Sequence, residues 1–392
     1  MDDLKQRVRA DLERLSPSPD GLEKTLQLVR RRQRYRRVSA AALGLALTSG
    51  LVVGMWAIRS LGPATRHVSS GQATDLGTVT DVAFGDGSAW ALTCDRGCSG
   101  DQRNSSGYAL QIDPATGSVL ASVPLKNPSK IAAGEGAVWV TSFWEGTVTR
   151  IDPISTTVVQ TISLELPSPV CDSCSGATDF LPSDIAVGEG AVWVDTGRGA
   201  LARIDPATND VTTTIQLPGD TTGGLAVDGG AVWVTENVLG LCRIDPATNE
   251  VTSKITVDDD QGRRLAIDEV AAGSDAIYVM GTWATPTSPD SRGHVDYQAG
   301  PGAGVAQIDP ASGQVVSTVF VGQEPRLMAF DGGTLWLWEF GGTTLEGIDP
   351  DTGNSTAALD ASASGHFVAV GDGAAWVAMD DGTLTRMDLP AA

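Results

Sequence analysis

The chain has 392 residues and its charge is unevenly placed: residues 1 to 37 hold eleven Lys/Arg against six Asp/Glu, whereas residues 60 to 392 hold fifteen against forty-two. An acidic body of this size repels phosphate backbones, so no nucleic acid is expected as its partner. Length alone allows two or three domains, but self-similarity claims nearly everything after residue 75 and makes that stretch one.

The basic head, residues 1–37, places Leu4, Val8, Leu12 and Leu15 on one helical face. A Ser-Pro-Ser-Pro break follows at 16 to 19, and then Leu22, Leu26 and Val29 line a second face. Two short amphipathic helices are predicted, suited either to a cytoplasmic partner or to an anionic leaflet. Residues 38–58, VSAAALGLALTSGLVVGMWAI, are 21 residues without a charge. At a rise of about 1.5 Å per residue they span a bilayer core of roughly 30 Å, so a transmembrane helix is predicted over 38–59. The 37-residue lead and the lack of a small-x-small cleavage site mark it as an uncleaved signal anchor. Six Arg between Arg30 and Arg37 precede it and only Arg59 and Arg66 follow closely, which puts the N-terminus in the cytoplasm and the rest outside the cytoplasmic membrane. Gly50-x-x-x-Gly54 would let two such helices pack closely as a homodimer, although small residues are also common in membrane helices. Short basic head, single span and large outer domain together resemble the topology of membrane-anchored anti-sigma factors, which implies a regulator with a cytoplasmic partner; the head holds no Cys or His for a zinc-binding version. Residues 60–75 are rich in Gly, Ser and Thr and read as a linker.

From residue 76 to 392 one phrase returns seven times: an apolar strand, a Gly-rich turn, a strand holding an aromatic, then a strand ending in Ile-Asp-Pro or a variant of it. The aromatics are Trp90, Trp139, Trp193, Trp233, Tyr278, Trp336 and Trp376. The matching Asp residues are Asp113, Asp152, Asp205, Asp245, Asp309, Asp349 and Asp388. Each copy holds four short strands, as in DIAVG (184–188), AVWVDT (191–196), LARID (201–205) and VTTTIQL (211–217). The turn after Ile-Asp calls for a residue at positive φ, met by Gly117, Asn209, Asn249, Gly313 and Gly353, with Thr156 as the departure. Four-stranded units at intervals of about forty residues predict an all-β fold, a seven-bladed β-propeller. One aromatic per blade is expected to fill the wedge between blades. The last copy stops after its third strand, so the segment between His67 and Thr80 is predicted to supply the missing outer strand and close the ring.

Val138-Trp139-Val140-Thr141-Ser142, Val232-Trp233-Val234-Thr235-Glu236-Asn237 and Ile244-Asp245-Pro246-Ala247-Thr248-Asn249 resemble the YVTN repeat family, which implies the same architecture and carries no particular activity.

Insertions concentrate on one face, at Cys94 to Tyr108, Ser163 to Ser183, Val257 to Asp268 and Gly281 to Gly304, which is the expected binding face. Four cysteines sit there. Outside a membrane, Cys94 with Cys98 and Cys171 with Cys174 are disulfide candidates; zinc binding, cross-links between loops and a redox role for Cys171-x-x-Cys174 are the alternatives. Cys242 occupies a strand position and is expected to be buried and inert. Around the central opening, the first strands bring Asp81, Lys130, Asp184, Glu269, Arg326 and His366, and the ends of the second strands bring Trp144, Asp195, Glu236, Trp283, Trp338 and Glu339. Aromatics beside carboxylates suit a glycan, a small cationic molecule or a protein partner, against the plainer reading of a solvated acidic rim. Glu236 in Trp-Val-Thr-Glu is similar to a strand motif of the streptogramin lyases, which would imply a lyase using a metal held by His and Glu. Only three His occur and the paired His are absent. Asp113-Pro114-Ala115-Thr116-Gly117 is similar to elements of quinone-dependent dehydrogenases but falls in a tight turn of the other face. No Ser/His/Asp set stands out, so no catalytic residue, metal or cofactor is assigned. The expected role is a membrane-anchored binding or sensing module, with a lyase or hydrolase and an anti-sigma-like regulator as alternatives.

Overall fold

The computed structural model describes residues 67–68, 73–76, 78–85, 87–94, 105–164, 182–197, 199–236, 239–273, 275–287, 297–322, 325–339 and 341–390. The expected head, the span over 38–59 with Gly50 and Gly54, and Cys98, Cys171 and Cys174 lie outside them. All the described residues belong to one compact unit, Leu61–Ala392. Among them no helix is long and apolar enough to cross a membrane.

The third copy of the repeat shows how the phrase folds. Asp184–Gly188, Ala191–Asp195, Ala200–Asp205 and Asp210–Gln216 pair antiparallel in sequence order. Register places Trp193 between Ala186 on the first strand and Arg203 on the third. The small Ala leaves room for the indole, whose Nε1–H donates to Gly188 O at 3.1 Å, while the Arg203 guanidinium lies 5.3 Å from the ring centroid. Trp139 and Trp233 repeat this pattern with Ala132 and Arg150, and with Ala226 and Arg243. In these three blades the indole is thus anchored by one hydrogen bond and one cation–π contact, in addition to full burial.

Seven such sheets follow one another, and the first strands of successive blades touch in a closed ring that returns from Gly365–Gly371 to Val79–Gly85. The protein is a seven-bladed β-propeller. Its core is divided into seven clusters, and every cluster joins two blades. Trp139, for example, packs with Ile185, Val194 and Ile204 of the next blade. Each cluster holds one of the seven repeat aromatics, so they are interblade wedge, as expected. Fully burying one large apolar side chain contributes about 1.5 to 3 kcal/mol.

The Ile-Asp-Pro turns hold neighbouring blades together. Asp113, Asp152, Asp205, Asp245, Asp309 and Asp349 each accept the amide two residues on through Oδ1. The turn so fixed offers carbonyls to the preceding blade: Arg150 donates to Pro206 O and Asn209 Oδ1, both at 2.7 Å, Arg243 to Pro310 O at 3.0 Å, and Gln111 to Pro153 O at 3.1 Å.

Closure follows the expectation. Ala73–Asp75 lies antiparallel on Thr383–Asp388 with Ala73 opposite Thr385, and Leu76 N donates to Gly382 O at 3.1 Å. The seventh blade thereby gains its fourth strand. His67–Val68 adds a fifth strand, parallel, to the outer edge of the sixth blade.

Candidate binding site at the channel mouth

At the mouth of the ring the first strands are irregular. In six blades the register between first and second strands shifts near the upper end, as between Val79 and Asp81, Pro128 and Lys130, or Ile267 and Glu269. A bulge of this kind re-aims the side chains on either side of it. Counting two residues back from the Ala opposite each aromatic gives the equivalent position in every blade: Asp81, Lys130, Asp184, Gly224, Glu269, Leu327 and Phe367. Four of the sequence-selected residues, Asp81, Lys130, Asp184 and Glu269, therefore share one level.

Arg326 and His366 do not. Each falls one residue earlier, on the bulge, and the mouth positions of their blades belong to Leu327 and Phe367. His366 instead bridges the closing seam: Nδ1 lies 3.0 Å from Asp380 Oδ1, and Nε2 lies 3.1 Å from Val79 O of the first blade. Plain alternation of in and out breaks at a bulge, which is why sequence spacing selected the neighbouring residue. The recurring Ala opposite each aromatic is the signal that finds Phe367.

The mouth is a ring of half-buried charged side chains. Asp81 accepts Val82 N and, from the next blade, Ile131 N, both at 3.0 Å; burial nevertheless pushes its carboxyl up, against the pull of Lys130 and these amides. Burial raises Asp184 to about 7, opposed by Lys130 and reinforced by Asp81. Glu269 is raised further, to about 8, again by burial first, with Lys130 opposing and Asp184 adding. Lys130 Nζ stands 5.3 Å from the Phe367 ring centroid. Three carboxyls and one ammonium thus face a common space in which burial disfavours net charge, so an added cationic group would restore the carboxylates to their ionised form. Among the described residues no group of three or more His, Cys, Asp or Glu is placed to hold a metal ion.

The remaining candidates lie elsewhere. Asp195 is fully buried and accepts Thr221 Oγ1 at 2.5 Å, Gly197 N at 2.8 Å and Ser183 Oγ at 2.8 Å, tying the third blade to the fourth. Glu236 is fully buried within the fourth blade, 2.5 Å from Lys254 Nζ and within 3.6 Å of the Cys242 thiol that donates to it. Burial and Glu236 push that thiol up to about 12, so Cys242 stays protonated, the inert buried cysteine expected. Trp338 is fully buried and donates to Gly342 O at 2.9 Å. Trp283 is buried in the fifth blade, under Arg263 at 5.4 Å. Both pack in interblade clusters. Trp144 is half-buried, edge-on to Phe143 in the second blade's upper turn, and Glu339 is exposed. Part of the expected loop between Gly281 and Gly304 is instead an extended hairpin, Ala276–Pro286 against Tyr297–Ile308. Cys94 is buried at the end of its strand.

The class defined by this fold and mouth is the seven-bladed propeller, and comparison with known proteins bears on that class alone. No family model matches the chain, and no curated protein matches it. Solved structures do. A chain from the structure of the mitotic checkpoint complex superposes with a TM-score of 0.60 at 13% identity, over 90% of this chain and 100% of that one. Streptogramin B lyase gives 0.55 at 14%, over 82% and 98%. BamB from Moraxella catarrhalis gives 0.50 at 13%, over 79% and 85%. At such identities the likeness is one of fold.

Proposed function

We propose that the chain is a membrane-anchored propeller outside the cytoplasmic membrane that binds a ligand or partner carrying a cationic group at the channel mouth. The observation that carries this reading is the convergence of Asp81, Lys130, Asp184, Glu269 and Phe367 at one level of the ring, with burial raising the three carboxyls. The anchor rests on the charge-free residues 38–58 and the Arg cluster before them, with Gly50 and Gly54 as a dimer contact. In that compartment Cys94 with Cys98, and Cys171 with Cys174, pair as disulfides. Binding is preferred to lyase chemistry because Glu236, the residue of the lyase-like motif, is sealed inside its blade against Lys254 and Cys242.

The test is calorimetric titration of the full chain in nanodiscs with spermine and with an amino sugar. Wild type is expected to bind at least one of them and to release protons on binding at pH 7, because the carboxyls ionise. The double variant D184N/E269Q should weaken that binding about tenfold. Undiminished affinity in that variant, or binding with no proton release, would remove the mouth as the site.

A further inference from the structure

The outermost strand of a blade presents a row of backbone donors and acceptors to solvent, and such edges are usually blunted by charge, Pro or a covering strand. The outer strand of the third blade carries Asp210, that of the fourth carries Glu250 and Lys254, and that of the sixth is covered by His67–Val68. Among the described residues the outer strands of the second blade, Thr157–Ser163, and of the fifth, Val315–Phe320, carry no charged residue, no Pro and no covering strand, and in the second every residue except Ile162 is exposed.

Its side chains also break with the repeat. Just after each Ile-Asp turn the outer strand bulges by one residue. In the third and fourth blades the bulge residue is a Thr, Thr212 or Thr252, which donates to the carbonyl of Arg203 or Arg243. In the first, second and fifth blades it is Leu120, Val159 or Val316, 57%, 49% and 61% exposed. The turn tip that holds Ala207 and Ala247 elsewhere holds Ile154, 93% exposed, and the bond from Gln111 to Pro153 O sets that turn against the first blade. Val119, Leu120, Ile154, Val158 and Val159 are thus exposed apolar residues beside the Ile-Asp turns of two adjacent blades, and of the two outer strands the second blade's is the one without charge or Pro.

Charge selects the occupant. Asp113 and Asp152, each at the turn beside the patch, are held below the usual carboxylate range by amides of their own turns, and the body carries a large excess of acid. A second copy would bring like charge onto like. We propose that the outer edge of the second blade, beside the exposed apolar residues of the first, takes an extended partner strand whose apolar side chains are flanked by Lys or Arg, pairing through the backbone of Thr157–Thr161.

Fluorescence anisotropy on the full chain in nanodiscs tests this with a labelled peptide, Lys-Val-Lys-Val-Thr-Val-Lys. Controls are the same peptide with Glu for Lys, and a version N-methylated at alternate amides, which cannot complete a ladder. The variant L120T/V159T installs the residue found at that position in the third and fourth blades, so the fold is retained. Wild type should bind the Lys peptide and neither control, and L120T/V159T should weaken binding about tenfold. V316T, the same change on the separate fifth blade, should leave it unchanged. The proposal is overturned if the Lys peptide does not bind, if L120T/V159T binds it as wild type does, or if V316T weakens it equally. Self-association of the wild type that is lost in L120T/V159T would also overturn it, since the occupant would then be a second copy.

Discussion

At the residue scale, each position in this ring is read against its six siblings, and departures are informative. Thr156 has φ +52° where the equivalent residues are Gly or Asn, also at positive φ. A β-branched side chain is strained there, so T156N should stabilise the protein by about 1 kcal/mol, visible as a higher urea midpoint. Asp184 and Glu269 depart by being acidic where Gly224 and Leu327 are neutral. A carboxyl raised in the folded state holds its proton more tightly there than in the unfolded chain. Its contribution is therefore full below the ordinary carboxylate pKa and is lost as pH climbs through the folded value, about 8 for Glu269. E269Q should accordingly match wild type near pH 4 and exceed it at pH 9 by about 1 to 2 kcal/mol, discounted for water in the channel. Equal denaturation midpoints at pH 9 would mean that Glu269 is well hydrated.

At the scale of the element, a blade's two contacts with its neighbour come from the same few residues. In the second, third and fourth blades the indole fills the wedge while the Arg stacked on it reaches the next blade's turn. Arg150 is the fullest case, with two bonds at 2.7 Å to Pro206 O and Asn209 Oδ1. R150A should cost about 2 to 3 kcal/mol by stranding those acceptors and uncovering Trp139. R150K, which keeps the charge but not the fork, should recover only part of that loss in the same urea titration. The Ile-Asp-Pro phrase, which by sequence is a blunt turn, is therefore the part of the second to fifth blades that the preceding one grips.

At the scale of the whole molecule, the ring is closed by a segment that lies more than 300 residues from its partner in sequence. Ala73 stands opposite Thr385, and the last core cluster joins Trp376 and Leu384 to Val79 and Ile112. A cystine introduced by A73C/T385C would tie the closing strand across that long loop. Oxidation should raise the unfolding free energy by about 2 to 4 kcal/mol over the reduced form. Midpoints unchanged by oxidation would show that Ala73–Asp75 does not close the ring in solution.

The seven repeats, their four strands, the wedge aromatics and the incomplete last blade were all legible in the chain, because hydrophobic periodicity and turn chemistry are local and were written seven times. So were Asp81, Lys130, Asp184 and Glu269, which stand at fixed offsets from the repeat. Sequence did not show that Asp195, Glu236, Trp283 and Trp338 spend their side chains inside the scaffold, since whether a polar or aromatic group at a strand end meets solvent depends on the neighbouring blade. Nor did it show that a one-residue bulge sends Phe367 to the mouth in place of His366. Composition and periodicity determined the kind of molecule. Which charges share one half-buried space was decided only when seven strand ends, distant in sequence, were brought around one axis.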